Sequence, residues 1–328
     1  MEKLRNIKNR TIQDLRSAHA QLSTDPLLKK LVIIFLLVFV SQMIILQVVF
    51  PSDYGYWIPP PVKIPFPSKP STIQDRFEYS FKDLRAQMNE ELITKIKAQI
   101  NPPPEKADPS DMVEFPQTLL SEFFEAVRQR VHEILRYKRN GFFVEYGDWG
   151  GLDDPYTRFF ERVANFTGLI IEPDPNVFER IMKAGRNVWT INSGLSIHPN
   201  ENQQTFIRPS QRGERIMLEF AKGVNKENMN SFNLFNATCF PLTSILLAIK
   251  KGSIDLLYLE MDGAELNIFK TIAWAQIDIN VVLVVETDNR NDKKDSMEKY
   301  LVRQGFAPRG IIPGPWLTAY IFQNSKYI

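Results

Sequence analysis

The chain has 328 residues, 44% of them hydrophobic and 24% charged, with a net charge of +2. That length supports one large domain with accessories, and so small a net charge excludes nucleic-acid binding by bulk electrostatics. One cysteine and three scattered histidines exclude a disulfide framework and a histidine–cysteine metal cluster.

The charge is unevenly placed. Residues 1–30 carry seven basic groups (Lys3, Arg5, Lys8, Arg10, Arg16, Lys29 and Lys30) against Glu2, Asp14 and Asp25. Residues 31–50, LVIIFLLVFVSQMIILQVVF, carry no charge. Twenty helical residues span about 30 Å, the hydrocarbon thickness of a bilayer. A cleaved signal peptide would have a shorter apolar core and a small-residue cleavage site. The stretch therefore reads as a membrane anchor. Lys29 and Lys30 abut it, and no Lys or Arg follows until Lys63. The positive-inside rule puts residues 1–30 in the cytosol as a basic tail and everything after residue 50 in the lumen or outside the cell. This is type II topology, with a signal anchor at 31–50. Tyr54, Tyr56 and Trp57 fall where an interfacial aromatic belt belongs. Two acceptor tripeptides for N-glycosylation, at Asn165 and Asn236, fit a lumenal domain. Cys239 has no intramolecular partner and reads as a buried thiol or an interchain link.

Residues 51–70 are a stalk, with six prolines between 58 and 70 fixing an extended backbone. Residues 71–138 read as a helical neck. Phe77, Phe81, Leu84, Met88, Leu92 and Ile96 form one helical face over 71–100. Leu120, Phe123, Val127, Val131 and Leu135 form another over 116–138. From 139 to 328 the pattern changes. Short apolar runs (FFVEYG, LIIEP, VWTIN, DLLYLEMDG, NVVLVVETD) alternate with helical stretches at 155–166, 175–184, 241–251, 263–274 and 291–304. Continuous apolar strands alternating with helices predict an α/β fold, a Rossmann-like parallel sheet with helices on both faces. Residues 208–239 fit no clean pattern and read as a hairpin and loop inserted before the fourth strand.

Ligands of open α/β sheets bind beyond the carboxyl ends of the strands. Acids end four strands here. Glu145 precedes a turn with Gly147, Asp148, Gly150 and Gly151. Glu172 ends the second strand, 25 residues after Gly147, where such an acid accepts hydrogen bonds from a ribose. Glu260, Asp262 and Glu265 crowd a strand-to-helix turn, and Glu286 ends the next strand. Acids at helix starts are also favoured by the helix dipole alone.

The segments FVEYGDWGG, GLIIEPDPNVF, LYLEMDGAELNIFKTI and VVLVVETD resemble the FkbM-type methyltransferase domain over roughly 140–309. More narrowly, the run from Cys239 to Asp288 behind a single span resembles the insect Star group. The family resemblance implies a class I methyltransferase sheet and S-adenosylmethionine as cofactor. It implies Glu145 and Gly147, with Asp148 and Gly150 in the same loop, at the methionine end of the cofactor, and Glu172 at its ribose. Glu260, Asp262 and Glu265 fall on the acceptor side, and no metal is implied. Two departures stand out. Asp148-Trp149 replaces the small residues of the family's glycine loop. Tyr258-Leu259-Glu260-Met261-Asp262-Gly263 stands where many members have Lys-x-Asp-x-Glu-Gly.

Two functions follow from different classes. One is a weakly catalytic or non-catalytic lumenal interaction module. The Star-like resemblance implies that such a module helps export a secretory cargo, such as a growth-factor precursor, through the endoplasmic reticulum, Golgi apparatus and endosome. The other is an S-adenosylmethionine-dependent O-methyltransferase acting on a glycan or small hydroxyl, with Glu260 or Asp262 as base.

Overall fold

The computed structural model describes residues 81–105, 121–147, 156–208, 216–220, 232–261, 263–286, 291–315 and 317–328. All lie in the unit Trp57–Ile328. The predicted tail, membrane anchor and stalk (1–30, 31–50, 51–70) lie outside the described residues, as do Asp148, Trp149, Gly150, Gly151 and Asp262. Among the described residues no helix is long and apolar enough to cross a membrane.

The elements run in chain order as α1 (Phe81–Gln87), α2 (Glu90–Lys97), α3 (Ser121–Ile134), β1 (Phe142–Tyr146), α4 (Thr157–Val163), β2 (Thr167–Ile171), α5 (Pro175–Lys183), β3 (Val188–Ile191), β4 (Gly194–Leu195), β5 (Asn202–Arg208), β6 (Ile216–Met217), β7 (Asn233–Phe240), α6 (Leu242–Ala248), β8 (Ser253–Leu259), α7 (Glu265–Thr271), β9 (Asp278–Glu286), α8 (Asn291–Arg303), β10 (Phe306–Pro313) and β11 (Thr318–Asn324). Seven strands form one sheet in the order β10-β11-β9-β8-β1-β2-β3. Strands β3, β2, β1, β8 and β9 pair in parallel, and β11 runs antiparallel between β9 and β10.

The unbroken apolar runs make this arrangement stable. A strand covered on both faces needs hydrophobic residues at every position. All five residues of β1 are buried, as are the last six of β9. Successive side chains feed two separate cores. Phe142, Val144, Tyr146, Leu257, Leu259, Val282 and Val284 pack on one face with α6 and α7. Phe143, Ile170, Leu256, Tyr258, Leu283 and Val285 pack on the other with α3 and α4.

Segments assigned to the neck belong to these cores. Phe123, Val127, Val131 and Leu135 are buried, as the predicted stripe requires. Ile96 is fully buried with the first core. The Gln87 side-chain amide donates to the carbonyl of Thr271 (3.0 Å), and the Gln87 main-chain carbonyl accepts from the Ser244 hydroxyl (2.7 Å). Asn101 pairs with Thr190 beside the sheet. The helix expected over 71–100 is two helices where it is described. Asn89 is extended, and its side chain accepts from the amides of Glu91 and Leu92. That cap ends α1 and starts α2, because an asparagine side chain competes with the helical ladder for backbone donors. His132 lies among the rings of Tyr137, Phe159 and Phe160, and burial, then the Arg139 charge, lowers its pKa.

Between β3 and β8 the chain builds a second sheet in the order β4-β7-β5-β6. The hairpin expected in this region is thus part of a four-stranded layer, with β5 and β7 antiparallel from Asn202↔Cys239 to Arg208↔Asn233. Cys239 is fully buried against Gly194 of β4, and burial pushes its thiol pKa up to about 12. Reactivity requires the thiolate, so a maleimide reagent should leave Cys239 unlabelled in the native protein and label it after unfolding. Rapid native labelling would contradict this packing and reopen the interchain disulfide.

Candidate functional site

The chain order along the sheet reverses between β1 and β8, the switch point beyond which such sheets bind ligands. Every described acid that the sequence nominated stands at this edge, and every one is buried: Glu145 and Glu172 at 0% exposure, Glu260 and Glu265 at 2%, Glu286 at 3%. A buried carboxylate must be hydrogen-bonded or paired, so its partners define its role.

Glu145 lies on the same face of β1 as Phe143. Its carboxylate accepts from the Thr157 hydroxyl of α4 and from the Arg186 guanidinium (3.3 Å), which precedes β3. Arg186 is itself buried. It also holds Glu161 (2.9 Å) and Thr157 (2.8 Å) and lies over the Phe143 ring. This network ties α4 and the β3 lead-in to the central strand. Glu172 accepts the amide of Asp174 (2.8 Å), and its carbonyl accepts from Asn192 (2.8 Å) at the end of β3. Asp174 then caps α5 through the amide of Asn176, ahead of Pro175 at the first helical position. Arg208 of the second sheet grips the same carboxylate at 2.7 and 3.1 Å, and this contact raises the Arg208 pKa. The accessory sheet is thereby fastened to the loop that follows β2.

At the end of β8, Glu260 accepts from the Tyr258 hydroxyl. Glu265, at the start of α7, takes the amides of Met261 (3.0 Å) and Gly263 (2.9 Å), one on each oxygen. It therefore ties Met261 and Gly263 to the start of α7. Near Glu286 the Tyr320 hydroxyl is pushed up to about 12 by burial and then by the Glu286 charge. Among the described residues no group of three His, Cys, Asp or Glu side chains could hold a metal ion.

Gly147 has φ +92, a conformation that side chains strain to adopt. A Cβ there would stand 1.8 Å from the carbonyl oxygen of Glu260. The β1–β8 ladder also runs one step past the named strands, with the Glu260 amide bonded to the Tyr146 carbonyl at 3.0 Å. This glycine is demanded by the close approach of the chain's own strand. Sequence reasoning missed Thr157, Arg186, Tyr258, Asn192 and Arg208. Of this edge's supports only the Asp174-Pro175 helix start carries a local signal. Asn165, in a left-handed turn after α4, and Asn236, on β7, are both exposed.

A sheet ordered 3-2-1 and then onward from the switch point, closed by an antiparallel strand slotted in beside its last neighbour, is the Rossmann-like methyltransferase class. The chain belongs to the Methyltransferase FkbM domain family, whose profile matches residues 139–308, just over half of the 328. Solved structures with a similar fold include a protein of the NADB-Rossmann superfamily from Streptococcus agalactiae, at 10% identity and TM-score 0.35, covering 60% of this chain and 68% of that one. TrmK of M. capricolum, solved with S-adenosyl-homocysteine, is 12% identical at TM-score 0.32, covering 60% and 67%. A methyltransferase from Pyrococcus furiosus is 11% identical at TM-score 0.34, covering 74% and 99%. Comparison with curated proteins gave no match.

Such a fold takes S-adenosylmethionine beyond the carboxyl edge of its sheet. At the methionine end the described groups are engaged within the protein itself. The space beside Gly147 is filled by Glu260, and the Glu145 carboxylate serves Thr157 and Arg186. At the ribose end Glu172 stands at the expected strand terminus, turned into its own loop.

Proposed function

We propose that this chain is a single-pass type II membrane protein whose lumenal methyltransferase-like domain acts as an interaction module with little or no catalysis. In this reading it assists secretory cargo, of the kind a growth-factor precursor represents, from the endoplasmic reticulum toward the Golgi apparatus and endosome, as in the Star-like group. The observation that supports it is the commitment of the acceptor-side acids. Glu265 spends both oxygens on its own turn, and Glu260 is buried against Tyr258. A general base must reach the proton it removes, and these two are turned into the protein. The uncharged run 31–50 and its basic flank support the topology, and the exposure of Asn165 and Asn236 supports glycan attachment.

The test is calorimetric titration of the full chain in neutral detergent with S-adenosylmethionine. The expected result is no saturable heat. Micromolar affinity would overturn the reading. The same preparation from secretory membranes should gain mobility on glycosidase treatment, and an unchanged band would count against lumenal placement.

A second reading is O-methylation of a glycan or small hydroxyl, with S-adenosylmethionine bound and Asp262 as base. What favours it is Glu172, buried at the end of β2 beside the switch point. The hydroxyl of Ser193, just past β3, is also buried, with no hydrogen-bond partner among the described residues. In that case Glu172→Ala should weaken cofactor binding by about 1.5–3 kcal/mol, the range for hydrogen bonds to a charged group.

A further inference from the structure

Where α3 meets the edge strand β10, three strands along the sheet from β8, Arg130 meets the Arg309 main chain, and the charge of Arg136 acts on Arg309. The register of β10 on β11 shifts between Pro308 and Gly310. Arg309 is the extra residue of that bulge, a device that re-aims a side chain out of the ladder. Arg130 of α3 donates to the main-chain carbonyl of Arg309 at 2.9 and 3.3 Å, which pins the bulge in place. The Arg309 side chain is left over. It is half-buried, its Nε is out of solvent, and among the described residues it makes no hydrogen bond or ion pair.

A solvated surface arginine keeps all its donors wet, and this one does not. Burial holds the Arg309 pKa below its ordinary value, and the charges of Arg130 and Arg136 lower it further. Compensation at this corner is thin. Among the described residues Arg130 has one carboxylate, the half-exposed Glu133, at 3.3 Å. Arg136 donates to the main-chain oxygens of Tyr327 (3.4 Å) and Ile328 (2.9 Å). Desolvating a guanidinium beside two others, with no acceptor, is unfavourable unless an anion completes the set. The planar fork of arginine matches phosphate and sulfate oxygens.

We propose that Arg309, flanked by Arg130 and Arg136, is a binding site for a tetrahedral oxyanion, a phosphate or sulfate group. The site is separate from the carboxyl edge of the sheet and stands whether or not the domain is catalytic.

The test uses the full chain in neutral detergent micelles. Titration with inorganic sulfate and inorganic phosphate should give saturable binding at constant ionic strength. Arg309→Gln should weaken it at least tenfold, and Arg309→Lys, which keeps the charge and loses the fork, should weaken it less. Arg136 is exposed, so Arg136→Gln should fold normally and bind several-fold more weakly. In chloride, Arg309→Gln should unfold at no lower temperature than the parent, because repulsion is relieved. A second arm replaces the soluble ions with micelles doped with an anionic phospholipid. Stabilisation there that Arg309→Gln removes identifies a lipid headgroup as the source, and binding confined to soluble anions identifies a free or saccharide-borne oxyanion. Absence of binding in both arms, or equal binding by Arg309→Gln, overturns the proposal.

Discussion

Gly147→Ala should destabilise the domain by about 4 kcal/mol, a large share of the roughly 5–15 kcal/mol that holds a native protein together. Two costs combine. A left-handed backbone strains a residue with a side chain by about 1–3 kcal/mol. Overpacking adds about 1–3 kcal/mol more, because the new methyl would start 1.8 Å from the Glu260 carbonyl oxygen. Neither strand end can retreat cheaply. The Glu260 amide is bonded to the Tyr146 carbonyl, and Tyr146 pairs with Leu259 at the centre of the sheet. Urea unfolding of the variant should show a lower midpoint with an unchanged slope. A change within about 0.5 kcal/mol, the range of an inert surface substitution, would mean that the two strand ends are not in contact. The prediction also bears on function. A glycine required by the neighbouring strand would persist even in a fold that bound no cofactor, so the glycine turn alone does not mark an active site.

The sheet was legible because its strands are buried on both faces. Phe142 to Val144 and Val281 to Val285 are unbroken apolar runs, and no helix-period reading accommodates them. The acids at their ends were legible for the same reason, since the run stops where the carboxylate begins. The second sheet was not. One of its two long strands, Asn202–Arg208, reads NQQTFIR, with polar residues at its start and only Phe206 and Ile207 buried. It is held by pairing with β7 rather than by its own pattern. The break at Asn89 was hidden because the apolar spacing continues through it, while the deciding interaction is one side-chain cap. At the site, residue identities were visible and their partners were not. Arg186 reaches Glu145 across 41 residues and Arg208 reaches Asp174 across 34. Contacts of that separation leave no periodic trace in a single sequence. The family's pattern places Glu145 at a ligand, and nothing local in the sequence shows that one of its carboxylate oxygens meets an arginine.

That arginine supplies the second large effect. Arg186→Met should cost about 3–5 kcal/mol, the penalty for leaving a buried charge without its partner. Arg186 and Glu145 are 2% and 0% exposed at their side chains, so water cannot replace the lost contact. The substitution also removes the bonds to Glu161 and Thr157 and so loosens α4 from the sheet. Adding Glu145→Gln should restore part of the loss, because a neutral amide has no charge to compensate. The double variant should then be more stable than the sum of the two single changes by at least about 1 kcal/mol, within the coupling range of residues in one network. Salt should not move this coupling, since the pair is screened from solvent. The measurement is a double-mutant cycle by chemical unfolding, at low and high ionic strength. Strict additivity would mean that the two residues do not form a unit. If Glu145→Gln alone left stability untouched and abolished binding of S-adenosylmethionine, the carboxylate would belong to a ligand, and the catalytic reading would displace the interaction module.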